Sequence, residues 1–325
     1  MAIAPFTLHC ANPRCQTANS SHDAVCQRCG TPILRRYLWA VGPGSALPTE
    51  VGTLIQDRYY LLGDRRVLDT CPGLLPEIPP PEGSLPPVLW PYLHLFPYRC
   101  SVPQVYGLMG GLDQPFFLLE GGPIYPSQGL ALQADGSYRQ AEGELMPSLV
   151  EAWPQATPQR QLGWLWQLAR LWDPLAREGV APTLLNPELI RVEGAMVRLL
   201  SLEPSPQPNR PPDLAQLGQT WQPWAATAHP SIAPFFQGIV ARLLGGGIHQ
   251  LDQLLPLLDQ ALALACTGQN LEIQVATCTD SGPQRQQNED ACLPQGGTFR
   301  MTRPGPQSIT LVCDGLGGAR WRRSG

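Results

Sequence analysis

Two short cysteine pairs, Cys10-x4-Cys15 and Cys26-x2-Cys29, constrain the start of this chain more than any other feature constrains the rest of it. Such spacings let two thiolates reach one ion from a single backbone turn, and two such turns complete a tetrahedral four-sulfur site. Pro13 and Gly30 stand in the turn segments CANPRC and CQRCGTP, where tight turns favour them. A segment this short cannot bury enough apolar surface to fold alone, so metal-binding free energy takes the place of burial. Residues 5–34 are therefore predicted as a zinc ribbon, with structural zinc on Cys10, Cys15, Cys26 and Cys29. His9 and His22 lie nearby, but four thiolates already satisfy zinc. Disulfides fit less well, because no secretory signal precedes the cysteines and no thioredoxin-like unit surrounds Cys26 and Cys29. The remaining cysteines are scattered along the chain and read as small buried hydrophobes.

The four-cysteine segment resembles the prefix found ahead of signalling domains in cyanobacterial proteins, which implies a cyanobacterium-like source. At 325 residues and 43% hydrophobic content the chain has room for two domains and their cores. A net charge of −4 argues against a general nucleic-acid surface. With no apolar run long enough to span a bilayer, the expected location is cytoplasmic and no membrane contact is expected. Prolines concentrate in LPEIPPPEGSLPP (75–87) and EPSPQPNRPPD (203–213), which read as extended connections. Residues 35–49 are expected to be a linker.

Residues 50–268 form the body. DRYYLLG (57–63) reads as its first strand and FFLLEGGPI (116–124) as an apolar strand entering a double-glycine bend. In residues 158–179, Leu162, Leu165, Leu168, Ala169, Trp172 and Leu175 recur at helical spacing, and Gly179 is placed to cap the helix. A hairpin follows, 188–192 and 196–202 around Glu193-Gly194, then helices over 213–221, 231–244 and 249–265, the last with Pro256 as a candidate kink. The run GVAPTLLNPELIRVEGAMVRLLSLE (179–203) resembles the catalytic-loop region of protein kinases, whose order is helix, His-Arg-Asp loop, Pro-Glu-Asn strand, turn, strand, Asp-Phe-Gly. The resemblance implies a bilobal α+β domain without kinase chemistry. Leu184 takes the place of the catalytic aspartate, Leu189 that of the metal-binding asparagine and Ser201 that of the magnesium-holding aspartate. The chain contains no lysine at all, so the phosphate-gripping strand lysine is missing, and arginine is no faithful substitute for it. Glu188 reads either as the kinase-type ion-pairing glutamate or as an exposed strand-start residue.

The last segment pairs TDSGPQRQQNED (279–290) with ITLVCDGLGG (309–318). These resemble the opening signature of 2C-type metal-dependent protein phosphatases, T-D-x-G-x-x-R-x-x-N-E-D followed by a strand ending in D-G-x-G-G. The resemblance covers residues 271–325. It implies Mg²⁺ or Mn²⁺ on Asp290, Asp314, the Gly315 carbonyl and, more weakly, Glu289, in keeping with hard-cation chemistry. It also implies that Arg285 grips the substrate phosphate with its planar fork, and that a metal-activated water hydrolyses phosphoserine or phosphothreonine. After D-G-x-G-G the text becomes ARWRRSG and ends at Gly325, so the phosphatase β-sandwich is expected to be an incomplete fragment and catalytically incompetent as it stands.

The expected whole is α+β and multidomain: zinc ribbon 5–34, linker 35–49, degenerate kinase-like domain 50–268 and phosphatase fragment 271–325. Its expected role is in serine/threonine phosphatase signalling, with phosphoproteins or signalling proteins as partners. The competing expectation is a non-catalytic scaffold of zinc ribbon and pseudokinase. A pseudokinase that still holds nucleotide is the weakest of the three.

Overall fold

The computed structural model describes residues 6–42, 50–76, 86–109, 116–133, 137–207, 212–267, 270–279, 291–293, 297–304 and 311–313. Contacts divide the chain into two units, Met1–Asp259 and Gln260–Gly325.

The first unit opens with a small antiparallel pair, β1 (Thr7–His9) and β2 (Ala18–Ser20). Next come β3 (Arg36–Val41), β4 (Leu54–Ile55), β5 (Tyr59–Gly63) and β6 (Arg66–Asp69). Helix α1 (Trp90–His94) precedes β7 (Gln104–Met109) and β8 (Phe116–Glu120). The six strands β3 to β8 form one curled antiparallel sheet in the order β4-β5-β6-β3-β8-β7. A small pair, β9 (Leu130–Leu132) and β10 (Tyr138–Gln140), leads to α2 (Leu149–Ala152) and α3 (Pro158–Arg177). The hairpin β11 (Ile190–Glu193) and β12 (Met196–Leu199) follows, then α4 (Leu214–Ala226), α5 (Ala233–Leu244) and α6 (Leu251–Ala265), whose residues from Gln260 on are counted with the second unit.

Residues 35–49 correct the expected linker. Arg36–Val41 is an inner strand of the sheet, paired with β6 on one side and β8 on the other, and the side chains of Leu38 and Ala40 are fully buried. YLWAV carries aromatic and β-branched residues that suit a two-sided strand.

Alternation along the strands sorts side chains onto two faces. Leu38, Ala40, Tyr59, Leu61, Val67 and Leu118 gather with Tyr106, Met109 and Phe116 on one. On the other face, Tyr60 and Leu68 meet Leu8, Cys10, Cys26 and Ile33 from the cysteine segment, while Trp39 and Leu119 join the core of the helices. Tyr37 packs against both clusters. One sheet face is thus shared between the cysteine unit and the helical body.

The predicted helix over 158–179 forms as α3, and all six expected core residues are buried. The Thr157 side chain accepts from Arg160 N–H at its start. At its end Gly179 takes φ +69, donating to Ala176 O while Val180 N–H reaches Leu175 O, the paired bonds of a Schellman cap. The core around α3 is aromatic: Trp153 packs 5.7–6.3 Å, ring to ring, from Phe236, Trp224 and Trp164, and its indole N–H donates to Trp224 O at 2.9 Å. Buried Gln161 braces this core, donating to Trp153 O and accepting from His229 N–H. Pro256 does not split α6, which runs unbroken past it.

In the second unit β13 (Asn270–Thr277) pairs antiparallel with β15 (Gly297–Pro304), and β14 (Ala291–Leu293) with β16 (Leu311–Cys313). Among the described residues no helix is long and apolar enough to cross a membrane.

Candidate metal centre

Around β1 and β2 the chain folds into two matching knuckles. In the first, Cys15 N–H and Gln16 N–H both return to Asn12 O, and Cys10 N–H closes the loop on Thr17 O at 3.0 Å. In the second, Gly30 N–H returns to Cys26 O, and Cys26 N–H closes on Thr31 O at 2.7 Å. Each second cysteine is followed by a residue with positive φ, Gln16 at +47 and Gly30 at +72. Each is then followed by a threonine whose hydroxyl lies 3.2 Å from that cysteine's sulfur. The repeated Cys-x-Thr in CQT and CGT is the sequence signal for this internal symmetry, one that cysteine spacing alone does not reveal.

The knuckles bring the four sulfurs within 4.8 Å of one another, with Cys10–Cys29 at 3.5 Å and Cys15–Cys26 at 3.7 Å. A tetrahedron with zinc–sulfur arms of about 2.3 Å has edges of about 3.8 Å, so the cluster has the size zinc requires. Among the described residues these cysteines are the one group of three or more His, Cys, Asp and Glu side chains close enough to share an ion. His9 turns elsewhere, its Nδ1 lying 3.4 Å from Cys71 Sγ, and His22 is exposed.

The surroundings favour thiolate unevenly. Thr31, through its hydroxyl and its backbone N–H, draws Cys29 down to about 6. Burial works against the Cys26 thiolate, yet the N–H groups of Arg28 and Cys29 leave it below the ordinary thiol value. Asn12 N–H favours the Cys10 thiolate, but burial and three neighbouring sulfurs push it up to about 11. Crowded sulfurs cannot all carry charge unaided, and a divalent ion resolves that by displacing the remaining protons. The donor set and its dimensions fit a structural zinc ion.

The five further cysteines whose burial is described are not the buried hydrophobes expected. Cys100, Cys266 and Cys278 are exposed and Cys71 and Cys292 half-buried; all but Cys292, which sits inside strand β14, fall at turns or just past element ends.

At the kinase-like loop, Leu184 is fully buried in the core, Leu189 and Ser201 are half-buried, and Glu188 is exposed. Buried Thr183 accepts from Glu203 N–H at 2.8 Å, so this loop is held by packing and backbone bonds. A cleft of about 480 Å³ beside it is lined by Pro182, Leu185, Glu203, Ser205, Asp213 and Gln216 among others.

Arg285, Glu289, Asp290, Asp314 and Gly315 lie outside the described residues. The strands adjoining them are described: Ala291, which follows Asp290 in sequence, pairs with Cys313, which precedes Asp314. No protein family, curated protein or solved structure matches the chain.

Proposed function

We propose that this chain belongs to metal-dependent serine/threonine phosphatase signalling, with residues 5–34 as a zinc ribbon, residues 50–268 as a kinase-like domain without kinase chemistry and residues 271–325 as phosphatase sequence. The observation that carries the phosphatase reading is the pairing of Ala291 with Cys313. It pairs the residue after Asp290 with the residue before Asp314, which supports a cation shared between the two motifs. In this reading Asp290, Asp314, the Gly315 carbonyl and Glu289 contribute to an Mg²⁺ or Mn²⁺ site, and Arg285 holds phosphate. The chemistry is attack of a metal-bound water on a phosphoserine or phosphothreonine ester. Hard cations of this kind take about six oxygen ligands, more than the motif residues supply, so weak cation binding is expected from them alone. Titration with Mn²⁺ followed by electron paramagnetic resonance tests this. Binding that disappears in Asp314→Ala supports the reading, and phosphate affinity should fall in Arg285→Ala. If no Mn²⁺ binding depends on Asp314, the phosphatase reading fails. Metal-dependent hydrolysis of p-nitrophenyl phosphate, lost in Asp314→Ala, would extend it from site to enzyme.

A second reading, a non-catalytic docking scaffold, draws on the first unit. Its strand-rich half precedes a helix-rich half, as in a bilobal kinase-like domain, and aliphatic Leu184 fills the position where a kinase carries its aspartate. Signalling proteins or phosphoproteins would be the partners. It predicts that residues 1–270 fold and bind a partner as well as the full chain does; a partner needing residues 271–325 would count against it.

A further inference from the structure

We propose that the turn Thr70–Gly73, far downstream of the cysteines in sequence, is part of the metal centre's outer shell and that Gly73 is a positioning residue for zinc. The inference rests on the four-cysteine site holding zinc and is independent of the phosphatase reading.

The turn touches the first knuckle and the strand leading into it at three places. His9 N–H donates to Thr70 O at 2.8 Å, and His9 Nδ1 lies 3.4 Å from Cys71 Sγ. Gly73 lies directly on Ala11, where a Cβ on Gly73 would sit 2.6 Å from Ala11 O, 2.8 Å from its carbonyl carbon and 2.9 Å from its Cα. All three are backbone atoms, so no side-chain rotation can relieve the overlap. Gly73 is not among the residues of positive φ; the demand for glycine here is for space. Ala11 stands between Cys10 and Asn12, and Asn12 N–H lies 3.5 Å from Cys10 Sγ while Asn12 O closes the knuckle turn. Pressure on Ala11 therefore bears on the Asn12 N–H that lies against that sulfur.

The other side of the turn is fixed to the sheet. Arg58 binds both oxygens of fully buried Asp69 at 2.9 Å and reaches Cys71 O, Leu74 O and Leu75 O, while Cys71 N–H donates to Asp69 Oδ1. The first knuckle thus packs against an abutment held by an ion pair, not against a free loop. Outer-shell groups that orient metal ligands typically matter to affinity by about 10–100-fold.

The test compares zinc affinity, by competition with a chromogenic chelator, for the full chain, Gly73→Ala and Gly42→Ala. A Cβ on Gly42 would meet the Phe116 ring at 2.5 Å, so that variant strains the same sheet on the face away from the cysteines. Gly73→Ala should weaken zinc binding about tenfold or more and alter the Co²⁺–thiolate absorption spectrum, while Gly42→Ala leaves both unchanged. Gly73→Ala at the parent affinity, or equal losses in the two variants, overturns the proposal. Should Gly73→Ala not fold, hydrogen exchange on the unaltered chain decides. Chelation should speed exchange in residues 70–74 along with residues 10–17, and unchanged exchange in 70–74 overturns the proposal. A parent chain that takes up no stoichiometric zinc overturns the site reading and this inference together, whereas failure of Gly73→Ala alone leaves the site standing.

Discussion

Among the described residues, positions 6–34 bury four apolar side chains, Leu8, Cys10, Cys26 and Ile33, and two of those are metal-ligand candidates. Residues 149–258 bury Trp153, Trp164, Trp172, Trp221, Trp224 and Phe236 in addition to a run of leucines. Both regions lie against the same face of the sheet. Two aliphatic side chains at about 1.5–3 kcal/mol each cannot offset the ordering of a segment this long at about 1–2 kcal/mol per residue. The helical body, by contrast, has large buried rings and many leucines to set against its ordering. The difference shows that similar coverage of one surface can be reached by ligation or by bulk, and that the two should fail under different conditions.

The largest expected effect separates them most sharply. Cys26→Ser should abolish stoichiometric zinc, read by elemental analysis, and unfold residues 6–34, because structural zinc contributes on the order of 10 kcal/mol at neutral pH. Far-ultraviolet circular dichroism should keep its helical signal. A variant that retains native protection of residues 6–34 without metal would remove the contrast.

Trp153→Ala attacks the other side. Loss of this fully buried ring should cost about 3–5 kcal/mol and lower the melting temperature of the helices, with zinc content unchanged. Asp69→Asn should come next, at about 3 kcal/mol, since it leaves the Arg58 guanidinium facing a neutral partner in a mostly buried place. Because Arg58 also holds the turn at 71–75, this change should lower the urea midpoint and loosen the knuckle together, unlike Trp153→Ala.

The smallest effect belongs to the capping box before α2, where Ser148 and Glu151 exchange side-chain and backbone bonds. Ser148→Ala should cost about 1 kcal/mol. The Ser148 backbone N–H, then its hydroxyl, hold the Glu151 carboxyl below its ordinary value. A carboxyl depressed in the folded state adds stability that is complete above its unfolded value, about 4.3, and is lost as pH falls through the folded value. Urea midpoints measured from pH 7 down to pH 3 should therefore fall less steeply in Ser148→Ala than in the parent.

How much was legible beforehand follows the range of the interactions involved. The four-cysteine cluster could be read from spacing because each knuckle is closed by bonds among residues a few positions apart, such as Cys10 with Thr17 and Cys26 with Thr31. Helix α3 could be read because its periodicity and its glycine cap are equally local. The strand Arg36–Val41 was missed because its partners, β6 and β8, come from positions far along the chain. Its short apolar run carries no mark of which strands will flank it. The exposure of Cys100, Cys266 and Cys278 was missed for a related reason, since residue type sets a preference for burial and only the packed neighbours realise it.

Neighbouring residues alone therefore predicted a four-cysteine cluster and the amphipathic helix α3, and showed that the chain has no lysine to grip a phosphate. Three-dimensional packing established the rest: that the cysteine unit roofs part of a six-stranded sheet, and that Gly73 abuts Ala11. The reason is that ligand spacing and helical periodicity are written along the chain. Which face a strand presents, and what rests on it, depends on contacts between segments whose separation in sequence carries no such signal.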